Sequence, residues 1–151
     1  MNYLDIKLEG IDENGEKQEF ALSDFKGKNV VLYFYPKDET PVCTKEAKNF
    51  NEHLGKMAED TIVIGVSADN LESHLSFKDK LGLKFKLLTD KNHGLKQAIH
   101  EFIKKHLKHE HEMQDRITIL LNKDGEIIKT WAVTDVDKHV QEIIEYLNTL
   151  N

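Results

Sequence analysis

The stretch VVLYFYPKDETPVCTKEA, Val30–Ala47, contains both the strongest strand signal and the most reactive side chain of the sequence. Its first six residues, VVLYFY, are a continuous apolar and aromatic run. A run without polar alternation predicts a central strand buried on both faces. Pro36 ends it, because proline cannot donate to a sheet ladder. Thr40 suits a helix N-cap and Pro41 the first helical position. The helix that follows has Ala47, Phe50, Leu54 and Met57 on one face. Cys43 therefore falls in the first turn of a helix that starts where a buried strand stops. Unpaired N–H groups and the positive end of the helix dipole favour a thiolate there. In open α/β sheets, ligands bind outside the carboxyl ends of the strands.

The rest of the chain builds around this segment. Tyr3–Leu8 and Phe20–Leu22 read as short strands around the turn Asp12–Gly15, with Asn14-Gly15 as the hairpin signal. Thr61–Ser67 is a second buried strand. Asn70–Leu81 reads as a helix with Leu71, Leu75 and Leu81 inward, and Phe85–Thr89 as a short strand. Leu95, Ala98, Ile99, Phe102, Ile103 and Leu107 follow helical spacing. Ile117–Leu121 and Ile127–Val133 flank Asn122–Gly125, a hairpin with Asp124-Gly125 in its turn. The last helix runs from Val136 to Leu150, with Val140, Ile143, Ile144 and Leu147 inward; Thr134 and Asp137 have capping-box spacing. Helices between buried strands imply parallel pairing by crossover, and the late hairpin adds antiparallel strands. The expected fold class is α/β. It has a mixed central sheet with helices on both faces and an N-terminal β-hairpin, an arrangement to which the thioredoxin-like architecture belongs. No repeat or linker divides residues 1–151, so a single domain is expected.

Composition narrows the function. The 151 residues are 39% hydrophobic and 32% charged, which is globular. An excess of 27 Asp+Glu over 21 Lys+Arg, without a basic cluster, argues against nucleic-acid binding. No apolar run approaches the roughly 20 residues of a membrane helix, and no secretory signal precedes the first strand. No membrane association is expected. The single cysteine forbids an intrachain disulfide and suits a reducing, cytoplasmic setting. Arg116 is the only arginine; every other Lys or Arg position is lysine.

The spacing Pro36, Thr40, Cys43 is PxxxTxxC, and this sequence resembles the peroxiredoxins, which carry that signature at their active site. The longer string YFYPKDETPVCTKEA is similar to the Q-type group, the bacterioferritin-comigratory-protein thiol peroxidases. The resemblance extends through VIGVSAD (63–69), FKLLTD (85–90), DRITILLNKDGEI (115–127) and the Trp131 region with the final helix. It implies a thioredoxin-like fold and a thiol-dependent peroxidase acting on hydrogen peroxide and alkyl hydroperoxides. Cys43 would be the peroxidatic cysteine, passing through a sulfenic acid. Thr40 would offer its hydroxyl to the thiolate and peroxide, and Arg116 would face the sulfur. Pro36 would close the pocket. Glu46 would hold part of the network that orients the arginine. Donors aimed at the breaking O–O bond stabilise the transition state more than the ground state, and a planar guanidinium can reach sulfur and peroxide together.

Two positions depart from the group's pattern. Val42 stands where the group usually has glycine. No resolving cysteine is present: Lys48 occupies one of its usual positions, and Asn70–Leu81 contains none. A one-cysteine mechanism follows, with reduction by an external thiol such as thioredoxin, glutaredoxin or a small thiol, through a mixed disulfide. No cofactor or metal is called for, and a monomer or weak homodimer is expected. Taken singly, each site residue has a plainer reading. Cys43 could be a small core hydrophobe, Arg116 and Glu46 solvated charges, Thr40 a simple cap and Pro36 a strand stop. The competing function is a non-enzymatic redox sensor or chaperone that uses the same cysteine. His106–Glu112 (HLKHEHE) is read as a solvated segment after a helix, not a metal site. Trp131 is read as core packing.

Overall fold

The computed structural model describes residues 2–107 and 115–150. Its strands and helices are β1 (Leu8–Ile11), β2 (Lys17–Phe20), β3 (Asn29–Phe34), α1 (Pro41–Glu52), β4 (Thr61–Ser67), α2 (Leu71–Leu81), β5 (Lys86–Thr89), α3 (Gly94–His106), β6 (Ile117–Leu121), β7 (Ile127–Ala132) and α4 (Val136–Asn148). The strands form one sheet in the order β2-β1-β5-β4-β3-β6-β7. β3 lies parallel to β4 and antiparallel to β6. β4 is parallel to β5, and the β1–β2 hairpin extends the sheet antiparallel to β5. The fold is a mixed α/β, thioredoxin-like architecture, as the pattern of buried runs and amphipathic segments predicts. Among the described residues, no helix is long and apolar enough to cross a membrane.

The continuous apolar run of β3 is explained by its place. Val31, Tyr33 and Tyr35 face the layer of α1, α2 and α4, where Phe50, Phe77, Val140 and Ile143 are buried. Val30, Leu32 and Phe34 face the opposite layer, with Leu95, Ile99 and Ile103 of α3. Each large apolar side chain so enclosed contributes roughly 1.5–3 kcal/mol. Tyr33 stacks on Phe50 with ring centroids 4.4 Å apart. Its cross-strand neighbour on β4 is Gly65. A Cβ at Gly65 would lie 3.0 Å from the Tyr33 ring, so glycine leaves the room in which the ring lies over β4.

Two local expectations change. Tyr3–Leu8 is not a strand: Tyr3–Asp5 form a 3-10 turn, and β1 starts at Leu8. The Tyr3 hydroxyl donates to the Gly125 carbonyl at 2.8 Å and its ring packs edge-on to Phe102, which holds this segment across the β6–β7 turn. Nor is Phe20–Leu22 a strand. β2 ends at Phe20, and Leu22–Phe25 form another 3-10 turn whose Asp24 carboxylate accepts from the Ala21 N–H. Asp135, not Thr134, caps α4: its Oδ1 accepts from the Asp137 N–H at 3.0 Å. On α2 the buried side chains are His74, Phe77 and Lys78, while Leu71, Leu75 and Leu81 are half-buried around them.

That buried face of α2 holds the loop between β3 and α1. The Asp38 carboxylate, almost fully enclosed, accepts from the Tyr35 hydroxyl (2.6 Å), the Ser73 hydroxyl (2.9 Å) and His74 Nδ1 (2.7 Å). The Asp38 N–H donates to Asp69 Oδ2 at 2.8 Å. His74 Nε2 lies 3.1 Å from the Leu88 carbonyl on β5. Both ring nitrogens thus face oxygen atoms of the network. Removing one partner of such an enclosed pair leaves the other without compensation. Asp38→Asn is expected to cost about 3–5 kcal/mol of unfolding free energy in a urea titration. A loss below about 1 kcal/mol, the scale of an exposed pair, would show that the network does not hold the loop.

His139 on α4 is buried between Phe50 and Trp131, with Nε2 2.7 Å from the Thr118 hydroxyl. Burial pushes its pKa down from 6.5 to about 4. Between those values the unfolded chain takes up a proton that the folded chain refuses, so this group costs stability as pH falls through that window. His139→Gln is expected to narrow the difference in urea stability between neutral pH and pH about 4.5. An unchanged difference would refute that assignment.

Candidate active site

Two chain segments meet at the sulfur and bring three side chains together. α1 supplies Cys43 in its first turn, with Thr40 as the N-cap and Pro41 at the helix start. Glu46 lies three residues on, hence on the same helical face. The third partner comes from beside β6, the neighbour of β3 opposite β4. β6 is antiparallel to β3, and its register pairs Ile117 with Phe34. Arg116, just before β6, is therefore delivered to the level at which β3 gives way to the Pro36 loop. The Arg116 carbonyl accepts from the Val133 N–H at 3.1 Å, which fixes its backbone against the end of β7.

The guanidinium spans two groups. Arg116 Nη1 donates to Glu46 Oε1 at 2.6 Å and Nη2 donates to Cys43 Sγ at 3.3 Å. Cys43 is 1% exposed and Glu46 0%. Burial pushes the Glu46 carboxyl up to about 7, although Arg116 pulls the other way. Burial draws the Arg116 pKa down, but the Cys43 sulfur and the Glu46 carboxylate outweigh it and the net direction is up. The structure brings Cys43, Glu46 and Arg116 together as the sequence implies.

Thr40 and Pro36 sit differently from the expectation. Thr40 has the extended backbone of an N-cap, but its side chain caps nothing. Its hydroxyl donates to the Lys37 carbonyl at 2.9 Å. The Thr40 proton is thus committed to the loop, and Oγ1 is left as an acceptor. Pro36 is exposed and lines a cleft of about 210 Å³ with Tyr35, Ser67, His93, Lys96 and Asp115 among others. Cys43 is not among the residues lining that cleft.

Sequence reasoning did not single out Tyr33, which is buried in the same apolar cluster as Cys43. Burial raises its phenol pKa well above 10, and Glu46, Asp38 and Cys43 reinforce this. The visible signal was its position in the VVLYFY run, on the same face as Tyr35. Asp38, Asp69 and His74 also converge closely enough to suggest a metal. Their facing atoms are already joined to one another and to Ser67, Ser73 and Tyr35. The cluster is satisfied as a hydrogen-bond network. Of the histidine-rich segment, His106 ends α3, while His109 and His111 lie outside the described residues. Trp131 is half-buried, edge-on to His139 and Tyr146.

Comparison with known proteins gives a consistent result. The AhpC/TSA family model matches residues 3–137. Peroxiredoxin Bcp of Bacillus subtilis is 42% identical over 149 residues, spanning 97% of this chain and 92% of that protein. The putative peroxiredoxin Bcp of Coxiella burnetii is 37% identical over 131 residues, spanning 85% of this chain and 87% of that protein. A cysteine-to-serine variant of Xanthomonas campestris peroxiredoxin Q superposes with a TM-score of 0.82 at 29% identity, covering 99% of this chain and 94% of that one. A second variant, in which a different cysteine is replaced, gives 0.82 at 28% identity, with coverage of 98% and 92%. That relative thus has at least two cysteines where this chain has one. Identity of this degree over nearly the full length settles the assignment: the chain belongs to the AhpC/TSA family, as a peroxiredoxin of the Bcp and Q type, and is an enzyme that reduces peroxides with thiols.

Proposed function

We propose that Cys43 is the peroxidatic nucleophile and that Arg116, Thr40, Pro36 and Glu46 assemble its site. The observation that carries this reading is the Arg116 guanidinium on the Cys43 sulfur, 3.3 Å away, at the N-terminus of α1. The Cys43 thiolate attacks the terminal peroxide oxygen. The S–O bond forms as the O–O bond breaks, sulfur is oxidised by two electrons to the sulfenic acid, and the leaving oxygen takes a proton to become water or an alcohol. Arg116 stabilises the charge that moves from sulfur onto oxygen. Thr40 Oγ1, whose own proton goes to Lys37, accepts from the peroxide O–H. Glu46 acts through Arg116 by holding one end of the guanidinium. Pro36 walls the loop side. Hydrogen peroxide and alkyl hydroperoxides both present the required terminal oxygen.

The reductant comes from outside, because the chain has no second cysteine. A thiol condenses with the sulfenic acid to release water and leave a mixed disulfide on Cys43, and a second thiol regenerates Cys43. Thioredoxin, glutaredoxin and small thiols share the needed chemistry. The cytoplasm maintains such thiols, and we place the protein there. Among the described residues, only Val42 and Leu150 are large hydrophobics that stay well exposed. We take the protein to act as a monomer or weak homodimer. A sensor or chaperone that stops at the sulfenic acid is not favoured, since the relatives bear the name of a peroxidase.

The test is oxidation of Cys43 by hydrogen peroxide under rapid quench with intact mass, followed by steady-state turnover with dithiothreitol. Cys43→Ser is expected to abolish turnover. Arg116→Lys keeps a charge but loses the planar fork, and is expected to slow oxidation by about 10²-fold. Near-wild-type turnover in Cys43→Ser would overturn the assignment. A single oxidation without repeated turnover would restore the sensor reading.

A further inference from the structure

The charge count in the pocket is uneven. One guanidinium faces two acids: Arg116 Nη1 is on Glu46 and Nη2 is on Cys43, the two ends of the same planar group. We infer that Cys43 and Glu46 titrate as a coupled pair holding one proton between them across Arg116, so that the thiolate forms as Glu46 takes up a proton. This deepens the reading of Cys43 as the nucleophile and rests on it.

The other charged and titratable groups around the pocket do not balance a second anion. From β3, Tyr33 presents a neutral phenol, and its hydroxyl has no partner. From α4, His139 is turned to the Thr118 hydroxyl and is held neutral by burial, with a pKa of about 4. On α1, Lys45 pairs at the surface with Asp137 of α4. In the loop, Asp38 is taken up by Tyr35, Ser73 and His74. Among the described residues, Arg116 is the one cation in contact with either acid.

Glu46 is fully buried, and its second oxygen, Oε2, has no hydrogen-bond partner. A buried carboxylate normally engages both oxygens, and an unmatched one is costly. With both Cys43 and Glu46 ionised, the enclosed site would hold two negative charges against one positive charge. With one proton between them, it is neutral. Burial already moves Glu46 up to about 7, within the range in which thiols at helix starts ionise. Cys43–SH with a Glu46 carboxylate and Cys43–S⁻ with a Glu46 carboxyl are then two arrangements of the same proton. Glu46 is a positioning residue for Arg116 that also sets the pH at which the nucleophile forms.

The test uses Glu46→Gln, which keeps the shape and the oxygen that accepts from Arg116 but cannot ionise. Alkylation of Cys43 by iodoacetamide is followed against pH. In the wild type the rate is expected to rise in two steps. In Glu46→Gln it is expected to rise in one, with a midpoint lower by about one pH unit or more. The reciprocal measurement is the carboxyl band of Glu46 in infrared difference spectra. Cys43→Ser is expected to lower its protonation midpoint by a similar amount, because coupling between two sites is mutual. An unmoved or raised alkylation midpoint in Glu46→Gln would overturn the inference and leave Glu46 with an orienting role alone. If Glu46→Gln does not fold, an unmoved Glu46 band in Cys43→Ser decides in the same sense. Peroxide turnover of the wild type is measured in parallel. Turnover with unmoved midpoints sinks the shared proton and spares the peroxidase, whereas a Cys43 that peroxide does not oxidise sinks the role of Cys43 itself.

Discussion

A guanidinium that bonds a sulfur at one end and a carboxylate at the other is the constraint around which this protein is arranged. It needs two distant chain segments in one place. α1 offers Cys43 and Glu46 one turn apart on the same face, and Arg116 comes from 73 residues beyond the cysteine. The antiparallel pairing of β6 with β3 brings them together, since it puts Ile117 beside Phe34. The two buried faces of β3 follow from the same demand. A strand at the middle of the sheet has a rigid end, and the loop to α1 starts from that end.

The loop is held from the other side by a second polar cluster. Asp38 ties it to Tyr35, to the two α2 residues Ser73 and His74, and through His74 to the Leu88 carbonyl. This cluster and the Arg116 site share the aromatic layer formed by Tyr33, Tyr35 and Phe50. The chemistry at sulfur is therefore framed by two buried polar groups set in an apolar wall. There each hydrogen bond counts for more than it does in water, and each missing partner costs more.

Much of this was legible in the residues. VVLYFY, TIVIGVS and the Asp124-Gly125 turn announce β3, β4 and the β6–β7 hairpin through local chemistry alone. Cys43 at a helix start was legible from Thr40 and Pro41, the lone Arg116 from composition, and the roles of Arg116 and Glu46 from the family resemblance. β2 was misplaced because Lys17, Gln18 and Glu19 are exposed and give no alternation; pairing with β1 makes it a strand. Tyr3–Asp5 looked like a strand because its apolar residues pack against a turn more than 100 residues away. His74 was passed over because a polar residue on α2 is buried only when a loop from elsewhere brings it a carboxylate. Thr40 was given the wrong hydrogen bond, since the Lys37 carbonyl that takes its proton is positioned by the loop. In each case the missing information was a contact distant in sequence.

The sequence distance between the sulfur and its arginine couples the site to the sheet. Cys43 belongs to α1, but the arginine that touches the sulfur belongs to the segment preceding β6, and that segment is held only once β6 has paired with β3 and β7 has closed beside it. A chain in which β6 is unpaired therefore carries a thiol without its guanidinium. The contact between sulfur and guanidinium is thus as cooperative as the sheet itself: whatever unpairs β6 from β3 also removes the donor from Cys43.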